Sequence, residues 1–161
     1  MVVVMIVGGA LVFTGLSGSG KTASLVDKSA PDIVIKLFSG KNVRLNDFKG
    51  KKPVVLNFWA SWCPPCRDEA STFAKVDSIY KDRVEFMGVV TNDSKEKAEA
   101  FMDEFGITYK NGLDQGNRIA NKYKITGIPE TYFIDIDGNI TEHWIGPIDE
   151  KSLVDRINNI L

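Results

Sequence analysis

Only two of the 161 residues are cysteine and only one is histidine. Cys63 and Cys66 stand three positions apart, which excludes a scaffold held by several bridges between distant segments. A zinc centre lacks ligands as well: besides this pair there is His143 and no third cysteine. No metal or organic cofactor is expected. An excess of one charge is also missing. Twenty Lys and Arg against 21 Asp and Glu leave a formal net charge of −1, spread along the chain. That balance offers no basic patch for nucleic acid and no acidic tail. There is no internal repeat or low-complexity tract, and the length suits one compact domain.

One long apolar run exists. Residues 2–16 carry no charge and are followed by the small, polar stretch 17–22. The run is shorter than the roughly 20 residues of a spanning helix, and no Lys or Arg precedes it. The favoured reading is a membrane-targeting segment, cleaved or retained. A folded strand and a misplaced start codon are the alternatives. The expected division is a leader and linker over 1–29 and a folded domain over 30–161. No cysteine stands just after the run, so lipoprotein attachment has no site.

Within the linker, Gly15-Leu16-Ser17-Gly18-Ser19-Gly20-Lys21-Thr22 satisfies the phosphate-loop pattern G-x-x-x-x-G-K-[ST]. In a nucleotide-binding protein Lys21 would reach the phosphates and Thr22 would hold magnesium. The helix that must follow is cut short by Ala30-Pro31, since proline is not tolerated in a helix interior. Nucleotide binding through Gly15–Thr22 therefore stays a minor alternative.

From residue 31 the pattern alternates. Residues 32–37 and 42–45 read as a strand pair around Ser39-Gly40-Lys41. The continuous apolar run 53–58 reads as a strand buried on both faces. Helices are expected over 64–80, 94–105 (capped by Asp93 or Ser94), 117–123 and 149–161. Strands are expected over 84–90, 131–135 and 140–146, the last two joined by the hairpin signal Asp137-Gly138. This order indicates an α/β sandwich with a mixed sheet.

The two cysteines fall where a buried strand gives way to a helix. Cys63 then faces the positive end of the helix dipole, which lowers a thiol pKa, so it is expected to be the exposed attacking thiolate. Cys66, one turn inside, is expected to be the buried resolving thiol. Pro64 fits the first helical turn, and together Pro64 and Pro65 remove two amide donors from around Cys63, a loss that favours a more reducing pair. Trp59 and Trp62 flank the motif and read as an apolar collar or as plain core aromatics, with Trp59 the better candidate for core. Further on, Gly127-Ile128-Pro129-Glu130-Thr131 places a proline just before a buried strand. A cis Ile128–Pro129 bond packed against Cys63 is expected. Trp62, Pro64, Pro65 and Ile128 form the expected substrate-contacting set. His143, in the last predicted strand, reads as a surface or edge residue.

The run from Asn57 to Glu69 through Trp62-Cys63-Pro64-Pro65-Cys66, together with Gly127-Ile128-Pro129-Glu130-Thr131, resembles the extracytoplasmic thioredoxin-like proteins of the TlpA, ResA and DsbE (CcmG) group. The resemblance covers about 30–161 and extends to Ala30-Pro31-Asp32, the segment 45–51 and an insertion around 93–123. It implies a thioredoxin-like fold: a central mixed sheet flanked by helices, with an N-terminal β-hairpin and a central helical insertion. It also implies a monomer tethered by its leader, periplasmic or on the outer face of the cell membrane, that reduces protein disulfides. In the group these are often the disulfides of apocytochrome c in cytochrome c biogenesis. Recycling would need a membrane electron donor of the CcdA or DsbD type. The group's acid three residues after the second cysteine falls on Glu69, and Glu130 after the cis-proline candidate resembles the DsbE-like branch, where a buried acid near the thiols would hinder thiolate formation. Cys63, Cys66, Pro129, Glu69 and Glu130 thus make up the expected catalytic set. Two departures stand out: Asn57 replaces the buried aspartate of cytosolic thioredoxins, and Ser71 replaces a helix-kinking proline. A general protein-disulfide reductase with no cytochrome role, and a thioredoxin-like domain used only for binding, are the competing readings.

Overall fold

The computed structural model describes residues 24–161. The leader and the Gly15–Thr22 motif lie outside the described residues, among which no helix is long and apolar enough to cross a membrane.

The strand expected from the apolar run forms β3, Val54–Trp59, with all six residues buried. Burial on both faces makes it the centre of a five-stranded sheet. Its neighbours are β4 (Glu85–Thr91), parallel to it, and β6 (Glu130–Ile134), antiparallel. The order across the sheet is β5-β4-β3-β6-β7, with β5 spanning Lys110–Asp114 and β7 spanning Ile140–Ile145. The predicted N-terminal hairpin forms from β1 (Val34–Lys36) and β2 (Asn42–Arg44), which pair antiparallel.

Strand β5 was not expected, and the stretch read as a helical insertion contains it between two helices. Its sequence, Lys-Asn-Gly-Leu-Asp, lacks strand composition, and tertiary contacts make it a strand. The N-terminal hairpin docks on its outer edge through a Leu37–Gly112 bridge and a bond from the Phe38 amide to the Asn111 carbonyl at 3.1 Å. A Cβ on Gly112 would lie 2.2 Å from the Lys36 carbonyl oxygen, so only glycine allows this approach.

Helix α1, Pro64–Tyr80, runs unbroken for 17 residues, as the absence of a proline at Ser71 allows. Helix α2, Lys95–Phe105, is capped by the Ser94 hydroxyl, which accepts from the Lys97 amide, and stops at Gly106, whose φ of 67° is left-handed. Helices α3 (Arg118–Tyr123) and α4 (Glu150–Ile160) are the other α-helices among the described residues.

Side chains alternate across the sheet and make two cores. Val55, Trp59 and Phe133 face α1, α2 and α4, together with both cysteines. Leu56, Phe58, Tyr132 and Ile134 face α3 and the N-terminal hairpin. Ile128 packs against both cores, just before β6 and beside the C-terminal end of β3, where the site forms.

Candidate active site

Cys63 is the N-cap of α1, and Pro64 and Pro65 fill its first turn, where an N–H has no helical partner. The first amide that remains, that of Cys66, points at Cys63 and donates to its Sγ at 3.3 Å. The two cysteines form a disulfide with their Cα atoms 5.3 Å apart. Each is only 2% exposed. The expectation of an exposed Cys63 is therefore corrected for the oxidised form. Its sulfur is tied inward to Cys66, and the turn before β6 packs over it, with the Ile128 carbonyl oxygen 3.6 Å from Sγ. The Ile128–Pro129 bond in that turn is cis.

The two tryptophans part company. Trp59 is core: it stacks on Phe101 at 4.7 Å, and its indole N–H donates to Asn111 Oδ1 at 2.9 Å. Trp62 is 57% exposed beside the disulfide, with its N–H on the Asn92 carbonyl at 2.9 Å. Pro64 is exposed and Pro65 half-buried at the same rim. Asp93 fastens this rim from below, accepting from the Ser61 amide at 2.6 Å.

Glu69 lies one turn beyond Cys66 in α1 and is 2% exposed. Its Oε1 accepts from Asn57 Nδ2 at 2.9 Å and its Oε2 from the Ile148 amide at 3.0 Å. Burial pushes its pKa up to about 8, against the opposing effect of those two hydrogen bonds. A carboxyl group that titrates near neutrality can both give and take a proton there. Asn57 also donates to the Thr131 hydroxyl at 3.0 Å, so one amide group spans α1, β3 and β6.

Glu130 is fully buried on the opposite face of the sheet from Thr131. Its Oε1 accepts from the amides of Thr126 and Gly127, both at 2.9 Å, and from the Thr126 hydroxyl at 3.0 Å. Its hydrogen bonds thus serve the cis-proline turn and not the thiols. Its Oε2 meets His143 Nε2 at 2.7 Å. His143 is therefore no bystander on an edge strand. Its ring stacks on Tyr132, with centroids 4.0 Å apart and planes 5° apart.

Among the described residues no group of His, Cys, Asp and Glu could hold a metal ion. A CxxC disulfide at a strand-to-helix junction of a thioredoxin-like fold, faced by a cis-proline turn, defines a thiol-disulfide oxidoreductase. The family model described as AhpC/TSA matches residues 26–143, and the chain belongs to that family. It is 33% identical over 141 residues to the thiol-disulfide oxidoreductase ResA of Geobacillus thermodenitrificans, covering 87% of this chain and 80% of that one. To ResA of Bacillus subtilis it is 31% identical over 143 residues, covering 88% and 79%. Among solved structures, a Chlorobium tepidum protein assigned to thiol:disulfide interchange protein DsbE superposes with a TM-score of 0.78 at 25% identity, covering 86% of this chain and 99% of that one. The protein is a thiol-disulfide oxidoreductase of the ResA and DsbE type.

Proposed function

We propose that the protein works as an extracytoplasmic disulfide reductase, with the CxxCH disulfide of apocytochrome c as its substrate and a membrane donor of the CcdA or DsbD type restoring its dithiol. The observation that carries this reading is the sparse stabilisation of Cys63: with Pro64 and Pro65 in the first turn, the Cys66 amide is the N–H placed on its sulfur. A poorly stabilised thiolate makes the disulfide the favoured state and the dithiol a reductant. The uncharged leader over 2–16 supports a location outside the cytoplasmic membrane.

In the reaction, the Cys63 thiolate attacks one sulfur of the substrate disulfide, forming a mixed disulfide and expelling the other substrate sulfur as thiolate. Cys66, its proton passed to Glu69, then attacks Sγ of Cys63 and releases the second substrate sulfur. The substrate gains two electrons and the protein ends as the Cys63–Cys66 disulfide. Trp62, Pro64, Pro65, Ile128 and Pro129 contact the incoming chain.

The test is the equilibrium reduction potential of the pair against glutathione and dithiothreitol buffers. A value near about −270 mV supports a reductant, and a value near about −120 mV makes the protein an oxidant and overturns the direction. In the same preparation, Cys66→Ser should hold an apocytochrome CxxCH peptide on Cys63. A general reductase would instead capture unrelated disulfide peptides equally well.

A further inference from the structure

The contact between Glu130 and His143 depends on an irregularity in the β6–β7 hairpin. Near the turn, Ile134 pairs with Ile140. A regular ladder continued from there would set Thr131 opposite His143, on the other face of the sheet from Glu130. The register instead shifts between Phe133 and Ile134, so that Tyr132 faces His143 and Glu130 faces Ile145. His143 is thereby brought onto the face of Glu130 and Tyr132, one diagonal step from Glu130, a distance long side chains span. The carboxylate is fully buried. A buried carboxylate needs a donor on each oxygen. Oε1 is taken by the three donors of the cis-proline turn, and Oε2 has His143.

We propose that His143 is a positioning residue for disulfide exchange: by holding Glu130 it fixes the turn 126–129, and so the Ile128 carbonyl and Pro129, against Cys63. A carboxylate oxygen accepts, so the ring Nε2, 2.7 Å away, serves as the donor to Oε2, and the ring's stacking on Tyr132 sets the angle of that contact. Gly146, which follows β7, adds a second link by donating its amide to the Pro129 carbonyl at 2.9 Å. The inference rests on exchange at Cys63 and adds to it a residue that touches neither sulfur nor substrate.

The experiment uses the whole protein and a peptide disulfide, read as the rate of mixed-disulfide formation, with amide hydrogen exchange measured at Thr126 and Gly127. His143→Phe keeps a ring on Tyr132 but has no donor. It should slow exchange about tenfold or more, since a small displacement of a reacting group costs that much, and should expose both amides. His143→Gln, which places an amide N–H where Nε2 stood, should restore rate and protection. His143→Asn, one bond too short, should behave as His143→Phe does and replaces it if that variant fails to fold. In a Glu130→Gln background, where the carboxyl group that His143 holds is gone, His143→Phe should cost little more. Wild-type exchange rates in His143→Phe and His143→Asn, a slow His143→Gln, or an undiminished loss in the Glu130→Gln background would each overturn the proposal. A wild-type protein that exchanges with no peptide disulfide would count against the activity itself, and amide protection would then decide the His143 link.

Discussion

Glu69→Gln is the substitution that tests the site most directly, because its effect changes sign with pH. Glu69 passes from 4.5 to about 8 on folding. That rise, at about 1.36 kcal/mol for each tenfold change in proton affinity, puts the cost of ionising it in the native state on the order of 5 kcal/mol. A carboxyl group with a raised native pKa binds more protons folded than unfolded between these two values. Stability therefore falls as pH rises from about 4.5 to about 8, and the fall ends above that window. Gln cannot ionise, so the variant should lose this slope. It has its own cost: an amide matches Asn57 Nδ2 through its oxygen but turns an NH2 toward the Ile148 N–H, leaving two buried donor groups facing each other unpaired. That mismatch costs about 1–3 kcal/mol at every pH. The two stability curves should cross, with the wild type more stable at pH 5 and the variant equal or better at pH 9. Urea unfolding of the oxidised proteins at half-unit pH steps reads this, with the difference between the two isolating Glu69 from every other titrating group. A constant difference from pH 5 to pH 9 would refute the argument.

Two further substitutions probe the surroundings. Asn57→Asp would set a second carboxyl group 2.9 Å from Glu69 Oε1. Both cannot ionise there, so the pair should share a proton, and the loss of stability with rising pH should steepen relative to wild type, measured in the same unfolding series. Gly112→Ala drives a methyl group to 2.2 Å from the Lys36 carbonyl and should cost about 1–3 kcal/mol by pushing the N-terminal hairpin off β5. Chemical denaturation reads the cost, and an unchanged midpoint would mean that the hairpin is not held there.

What the sequence made legible was short in range. The strand before Cys63 is apolar but for Asn57, the two cysteines are three apart, and a proline precedes a buried strand, so each pattern carries its own physical reason within a few residues. Glu69 was legible as a position but not as a buried group, because its burial depends on Ile148, which donates to it from 79 residues away. Strand β5 was hidden for the same kind of reason. Asn111 and Gly112 look like a turn, and only the indole of Trp59 and the backbone of Lys36 explain why those two residues must be there.

His143 shows how far the remaining gap reaches. Counted outward from the Asp137-Gly138 turn, an ideal hairpin places its side chain on the wrong face for Glu130, and a lone histidine on an edge strand has no visible task. One extra residue in β7 moves the whole outer half of the strand to the opposite face. Bulges leave almost no trace in composition or periodicity, since they need a single residue of local distortion and no particular side chain. The catalytic disulfide was legible because its chemistry is local. The support of the cis-proline turn was not, because it is built from a buried acid and a histidine that meet only after the sheet has chosen its register.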